Sequence, residues 1–541
     1  MLGLLAAHVL MAAVAPALVR WWGSRALYVI AAVPAVTFVW ALTHAGRVTQ
    51  GLAVVEVHPW VPQLRQELAF RMTVLPWLLV LLVSGVGALV LLYSSHYFAR
   101  HEAGLGRFAA VFVLFAGAML GLVISDDLVL LYVFWELTTV CSYLLIGHDP
   151  VKHASRWAAM QALLVTTFGG LAMLVGFVML GQHAGSYRWS VVVHNLPDGG
   201  YLTVAVVLIL LGALSKSAVF PFSFWLPAAM AAPTPVSAYL HAAAMVKAGV
   251  FLIGQMAPVF ATVGPWRPVV LACGLVTMLL GGWAALRQHD LKLLLAYGTV
   301  SQLGFLTVVI GAGTRTAALA GATLLLSHAL FKAALFLVVG IVDRAAGTRD
   351  LRLLSGLGRR RPVLTATAVA AVASMIGLPP ALGFVAKEAV LTAFSDGGAA
   401  ESLVLAGLVA GSALTVGYGL RFLWGAFADK PDVEASSAAK VSVGFLAPAV
   451  LLAAVGLVAG GAAHVLDEVL APYAAAFRSV GDHAYHLALW HGLTPQLALS
   501  ALALVAGVGV YYGTRRWGWW RALLLPGGGA DAYKRLVGWL D

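Results

Sequence analysis

Apolar runs of about twenty residues, parted by short polar stretches, recur along the whole chain. Twenty residues at 1.5 Å of rise reach roughly 30 Å, the thickness of a bilayer's hydrocarbon core. The pattern therefore predicts spanning helices. A membrane β-barrel would show ten-residue alternations instead. The runs predict about fifteen spans, near residues 2–20, 26–44, 73–98, 107–124, 127–147, 157–181, 201–230, 235–260, 267–286, 291–312, 316–343, 362–395, 402–426, 441–463 and 485–513. The fold class expected is an all-α polytopic membrane protein of about 14–15 helices.

Two of these spans carry prolines where a helix cannot tolerate them. Pro221 and Pro227 interrupt the seventh, and Pro379 and Pro380 the twelfth. Proline lacks the backbone donor and crowds the preceding turn. The two interruptions lie five spans apart. Five is odd, so two five-helix units would be inverted relative to each other, an arrangement typical of transporters with broken helices. The chain is accordingly expected to divide into residues 1–106 (helices 1–3), 107–260 (a first five-helix repeat), 261–428 (a second, inverted repeat) and 429–541 (helices 14–15 and a tail).

Composition strengthens the membrane reading. Of 541 residues, 61% are hydrophobic and 10% charged, whereas a soluble protein carries about 25% charged residues. The formal charge of +11 points to basic loops on one side of a membrane rather than to nucleic acid. Loops after odd-numbered spans, with the C-terminal tail, hold twenty-one Lys and Arg, against seven after even-numbered spans. The expected topology has the N-terminus outside and the C-terminus in the cytoplasm. The N-terminal stretch lacks a basic leader and reads as the first span. Cys141 and Cys273 both fall in apolar runs, which predicts no disulfide framework. No phosphate-binding loop or HExxH metal site occurs, and no cofactor is expected. The chemistry that remains is the movement of protons, or of cations against protons.

That chemistry needs ionisable groups inside the spans. Between Asp127 and His148 the sole charged residue is Glu136, roughly 15 Å from either end of its helix. Lys216, Lys247, Lys332, Lys387 and Arg421 also lie within spans. Burying a lysine at mid-bilayer costs about 2.5–3.5 kcal/mol, so four would cost on the order of 10 kcal/mol unless each has a partner, water or a task. Lys216 and Lys387 sit beside the two interruptions, where freed backbone groups admit water and a lysine can exchange its proton. Glu136 is expected to pair with Lys216. A breakable pair would change how tightly the lysine holds its proton; a static pair would only join two helices. His241 and Lys247, six residues apart, would face different sides of one continuous helix. His328 and Lys332, at i and i+4, share a face, as a bridge or as a local polar network. Glu388 is an acid near the pathway or an interface residue. Asp126 and Asp127 read as solvated helix starts or as a cation-attracting mouth. Arg421 is placed to reach the interface.

The stretches FWELTTVCSYLLIG, LSKSAVFPFSFWLPAAMAAPTPVSAYLHAAAMVKAG, DLKLLLAYGTVSQLGF, SHALFKAALFL and GFVAKEAVL resemble, in order, the antiporter-like membrane subunits shared by respiratory complex I and the Mrp multisubunit Na+/H+ antiporters. LHAAAMVKAG, VGIVDRAAGTRDLRLLSGL and YHLALWHG make the chain most like the A-type subunit of the Mrp antiporters. The resemblance implies fourteen core helices with two inverted five-helix repeats. It implies that Glu136 and Lys216 form the family's ion pair and that Lys247, His328, Lys332 and Lys387 lie on its central hydrophilic axis, with His241 as the histidine of the eighth helix. It implies no cofactor, Na+ and H+ as transported ions, other membrane subunits as partners in the lipid bilayer, and a bacterial cell membrane as location. The family's A-type subunit continues into a lateral helix and further spans. This chain stops at ADAYKRLVGWLD, so that extension is expected to be absent. The alternative function is that of a proton-pumping subunit in a complex I-like NADH-quinone oxidoreductase or a membrane-bound hydrogenase. A third is a stand-alone cation or bicarbonate transport component.

Overall fold

A computed structural model describes residues 1–516 apart from 62, 64–65, 396, 437 and 480–484. The basic tail residues Arg521, Lys534 and Arg535, and the terminal stretch ADAYKRLVGWLD, lie outside the described residues. Thirteen helices among the described residues are long and apolar enough to cross a membrane, and the chain is a multi-pass membrane protein.

The first of the thirteen covers Leu2–Thr43 and contains two predicted spans, α1 (Leu2–Trp22) and α2 (Ala32–Thr43), which turn at Gly23–Arg25 and pack on each other. There follow α3 (Val74–Tyr97), α4 (Leu105–Ile124), α5 (Leu128–Ile146), α6 (His153–Ala184) and α7 (Gly199–Lys216). The eighth span is α8 (Thr234–Ala242) and α9 (Lys247–Phe260), then come α10 (Trp266–Leu286), α11 (Leu291–Gly311) and α12 (Arg315–Ala346). The twelfth predicted span is divided into α13 (Pro362–Ile376) and α14 (Leu382–Ala393), each too short to cross alone. α15 (Ala399–Phe427), α16 (Val443–Gly461), a short α17 (Ala463–Ala474) and α18 (Pro495–Arg516) complete the described chain.

Both proline interruptions are present. α7 ends at Lys216 and the chain runs irregularly to a short turn at Trp225–Ala228; α13 and α14 are parted by residues 377–381. Each break holds a cis prolyl bond, Phe220–Pro221 and Pro379–Pro380. A third break has no forewarning in the sequence. The eighth span is interrupted at residues 243–246, with neither proline nor glycine there. Also unforeseen is an antiparallel hairpin, β1 (Val54–Val61) with β2 (Gln66–Met72). It is a small exception to the all-α architecture.

Burial grades from the ends of the chain inward. The α8–α9 span and α12 are almost wholly enclosed, whereas the α1–α2 segment and α18 are mostly exposed. At 32 residues, α12 is about 48 Å long. It packs on α8, α11, α13, α14 and α16 and forms the centre of the molecule. An apolar exterior with enclosed central helices suits a protein solvated by lipid, where backbone groups must be satisfied internally. Helix starts are capped accordingly: the Asp127 carboxylate accepts from the amides of Val129 and Leu130, and Asp290 from those of Lys292 and Leu293. Asp126 and Asp127 are both buried, so the solvated helix start is corrected. Asp127 spends its carboxylate on the cap, and Asp126 accepts from the Ser190 hydroxyl at 2.6 Å.

A buried row of basic residues

Lys216 ends α7 and is fully buried. Its ammonium donates to the Trp135 carbonyl at 3.0 Å and to the Thr139 hydroxyl at 2.6 Å, both on α5. It also lies 5.2 Å from the centre of the Trp135 ring. The expected contact ion pair with Glu136 is not formed. The reason is helical geometry. Residues 135 and 139 lie one above the other and face Lys216, while residue 136 is turned about 100° away. The Glu136 carboxylate instead points toward α6. One oxygen accepts from the Thr167 hydroxyl at 3.5 Å; the other is buried with no hydrogen-bond partner in the protein. Gly170 of α6 makes that position possible, because a Cβ there would overlap the Glu136 Oε1. The two charges remain within electrostatic range of each other.

The break after Lys216 meets the unexpected break in the eighth span. The Ser217 hydroxyl donates to the Val246 carbonyl at 2.8 Å, immediately before Lys247. Because the span is broken between His241 and Lys247, the expectation based on a continuous helix does not apply. Lys247 opens α9, is fully buried, and its ammonium lies 2.7 Å from the Nδ1 of His328 on α12. The Nε2 of His328 has no partner in the protein. His241 is fully buried at the end of α8, its ring 6.2 Å from that of Phe336, with neither nitrogen hydrogen-bonded. It is hydrogen-bonded to none of the other predicted residues, although Lys292 is within electrostatic range.

One turn beyond His328, Lys332 is also fully buried. It donates to the Leu295 carbonyl of α11 at 3.2 Å and lies 5.7 Å from the centre of the Tyr418 ring. The Tyr418 hydroxyl reaches Gln302, which also approaches Thr415. Lys387 on α14 stands apart. Its ammonium donates to the Ile376 carbonyl at 2.7 Å, at the last turn of α13. A cation there meets both an orphan carbonyl and the negative end of the helix dipole. Glu388 is buried and accepts a hydrogen bond from Ser500 of α18. Arg421 does not extend freely into the interface; it donates to the Gln288 carbonyl.

Lys292 is a buried group that sequence reasoning misses. It counts among the basic residues that flank the 291–312 span, yet it is 2% exposed and donates to the carbonyls of Met230 and Ala232. Its position one residue into a predicted span, after a run of polar residues, is the available signal. The hydrogen-bonded contacts thus bring Lys247 and His328 together and set Lys216 beside their break. They do not join Lys387 or His241 to the row. Ser327 and Ser374, 3.2 Å apart, link α12 to α13, the helix whose Ile376 carbonyl accepts from Lys387.

Residues 125–415 match the family model described as NADH:quinone oxidoreductase/Mrp antiporter, TM, and residues 60–109 the model for the complex I chain 5 N-terminus. A probable K+/H+ antiporter A/B-type subunit of Rhizobium meliloti is 41% identical over 84% of this chain and 46% of its own length. The Na+/H+ antiporter A-type subunit of Alkalihalophilus pseudofirmus is 36% identical over 90% and 64%. A chain of the Mrp complex from Dietzia superposes with a TM-score of 0.88 at 37% identity, over 99% of this chain and 58% of that one. The fold alone is shared with an archaeal membrane-bound sulfane sulfur reductase, with a TM-score of 0.79 at 21% identity. The chain spans about half to two thirds of the length of these curated antiporter relatives.

Proposed function

Because the chain belongs to the membrane family of NADH:quinone oxidoreductase and Mrp antiporter subunits, we propose that it is an ion-translocating subunit of a multisubunit monovalent cation/proton antiporter in a bacterial cell membrane. Other membrane subunits are its partners, and Na+ and H+ are the exchanged ions. It is a transporter subunit rather than an enzyme, with its N-terminus outside and its C-terminus in the cytoplasm. Residues 107–260 and 261–428 form its two inverted units.

The observation that carries this reading is the Lys247–His328 contact, 2.7 Å between two fully buried bases on different helices. An ammonium needs an acceptor at Nδ1, while a protonated Nδ1 needs a neutral amine opposite it. The contact can therefore hold one proton on either side, which is the property of a relay. Protons pass between the Glu136–Lys216 region, Lys247 and His328, Lys332 and Lys387, with His241 in support. Unpaired polar atoms on Glu136, His328 and His241 are positions where water completes the path. Protons entering down their gradient drive Na+ out, and the membrane potential adds about 2.3 kcal/mol per charge per 100 mV.

The test is cation-dependent dissipation of a ΔpH in inverted vesicles carrying the complete complex, with and without Glu136→Ala. Collapse of the gradient on adding Na+ or Li+, in the native vesicles alone, is expected. A gradient built by a redox substrate, with no response to any cation, would assign the chain to a respiratory pump instead.

A further inference from the structure

A cavity of about 390 Å³ lies where α15 and α18 end beside the turn between α10 and α11. None of its lining residues belongs to the buried row or to the proposed proton path. Its walls include Arg421, Trp424, Lys430, Asp432, Tyr511 and Arg515. Two other charged wall residues are already neutralised. Arg352 holds Asp350 at 2.6 Å, and Asp429 is paired with Arg359 at 3.0 Å. Arg421, Lys430 and Arg515 form no ion pair among the described residues. The acid that acts on Lys430 from a distance is Asp350, which Arg352 holds, while Arg421 and Arg515 act on it as like charges. Three cations thus face one uncommitted carboxylate, that of Asp432. Lys430 is fixed in the wall by the carbonyls of Leu351, Leu354 and Gly425, and Arg421 by that of Gln288. The Arg515 guanidinium lies 5.0 Å from the centre of the Trp424 ring. Holding three like charges around one hollow is unfavourable unless an anion fills it.

Position narrows the chemistry. Leu502, Val505, Val508 and Tyr512 are exposed on α18, at spacings that put them on one helix face. That apolar stripe leads toward the cavity: half-exposed Trp424 is in its wall, and half-exposed Tyr512 follows the wall residue Tyr511. Aromatic rings mark the level of lipid headgroups, and basic clusters there bind anionic lipids.

We infer that this cavity is a phosphate-anion site, filled by the headgroup of an anionic phospholipid whose acyl chains lie along the α18 stripe. Arginine suits it, because its planar fork matches two phosphate oxygens.

The test uses the purified complex in detergent with a photoactivatable phosphatidylglycerol, reading labelled peptides by mass spectrometry. Labelling is expected on the segments holding Trp424 and Tyr511, and a phosphatidylcholine probe of the same design should label them weakly. Arg515→Gln, a change at an exposed residue, should lower phosphatidylglycerol labelling about tenfold, and Arg421→Gln should do the same. If inorganic phosphate alone competes the label away at similar concentration, the phosphate site stands and its source is soluble. Equal labelling by phosphatidylcholine, labelling unchanged in Arg515→Gln, or no labelling of these segments would overturn the proposal.

Discussion

The two proline breaks hold their lysines differently. At the first, Lys216 ends α7 and reaches across to another span, to Trp135 and Thr139 of α5, with Glu136 one residue along that same helix. At the second, Lys387 reaches back to its own span and caps α13 through the Ile376 carbonyl, and its neighbour Glu388 is turned to Ser500. A lysine that bonds another helix changes partners when that helix shifts. A lysine that caps its own broken span is held by local geometry. The first break is therefore suited to coupling between elements, and the second to a fixed station for a proton.

Removing the charges at the first break should have the largest effect. Lys216→Ala or Glu136→Ala is expected to lower cation/proton exchange at least about 100-fold, with assembled protein still recovered from membranes. Loss of the assembled protein in both would mean that the two residues only join helices. Gly170→Ala is a finer probe, because the added Cβ would displace the Glu136 carboxylate without removing it. Exchange should fall about tenfold at unchanged protein amount, and an unchanged rate would show that the position of Glu136 is unimportant.

At the second break, the expected loss is one of stability as well as transport. In Gly383→Ala the new Cβ would overlap the Ser374 carbonyl oxygen, so the two half-helices must part. Destabilisation of about 1–3 kcal/mol is expected, read as less folded protein in a detergent melting assay. Ser500→Ala should have the smallest effect, about 1 kcal/mol, through the hydrogen bond to Glu388. A large loss of exchange in this variant would instead bring Glu388 into the pathway.

Much of the fold is written in the run lengths, because a lipid solvent demands twenty apolar residues per crossing. The four span lysines are visible for the same reason: nothing else explains an ammonium in such a run. The other features depend on tertiary contact. The break at residues 243–246 has no proline or glycine to announce it, and its partner is the Ser217 hydroxyl from a distant segment. The β1–β2 hairpin is shorter than any spanning run, and only the alternation in VVEV hints at it. Lys292 follows Arg287, Gln288, His289 and Asp290, so its neighbours read as a loop while its side chain is buried against the Met230 and Ala232 carbonyls just before α8. The direction of Glu136 depends on a glycine of α6 that no local pattern connects to it.

On the proposed mechanism the buried bases must exchange protons, not merely carry charge. The most direct test is the initial rate of cation-dependent ΔpH dissipation in inverted vesicles carrying Lys247→Arg. Arginine keeps the cation but does not give up its proton. An assembled complex with exchange lowered at least about 100-fold is expected. Native exchange rates in Lys247→Arg would contradict it, because a fixed charge opposite His328 would then suffice.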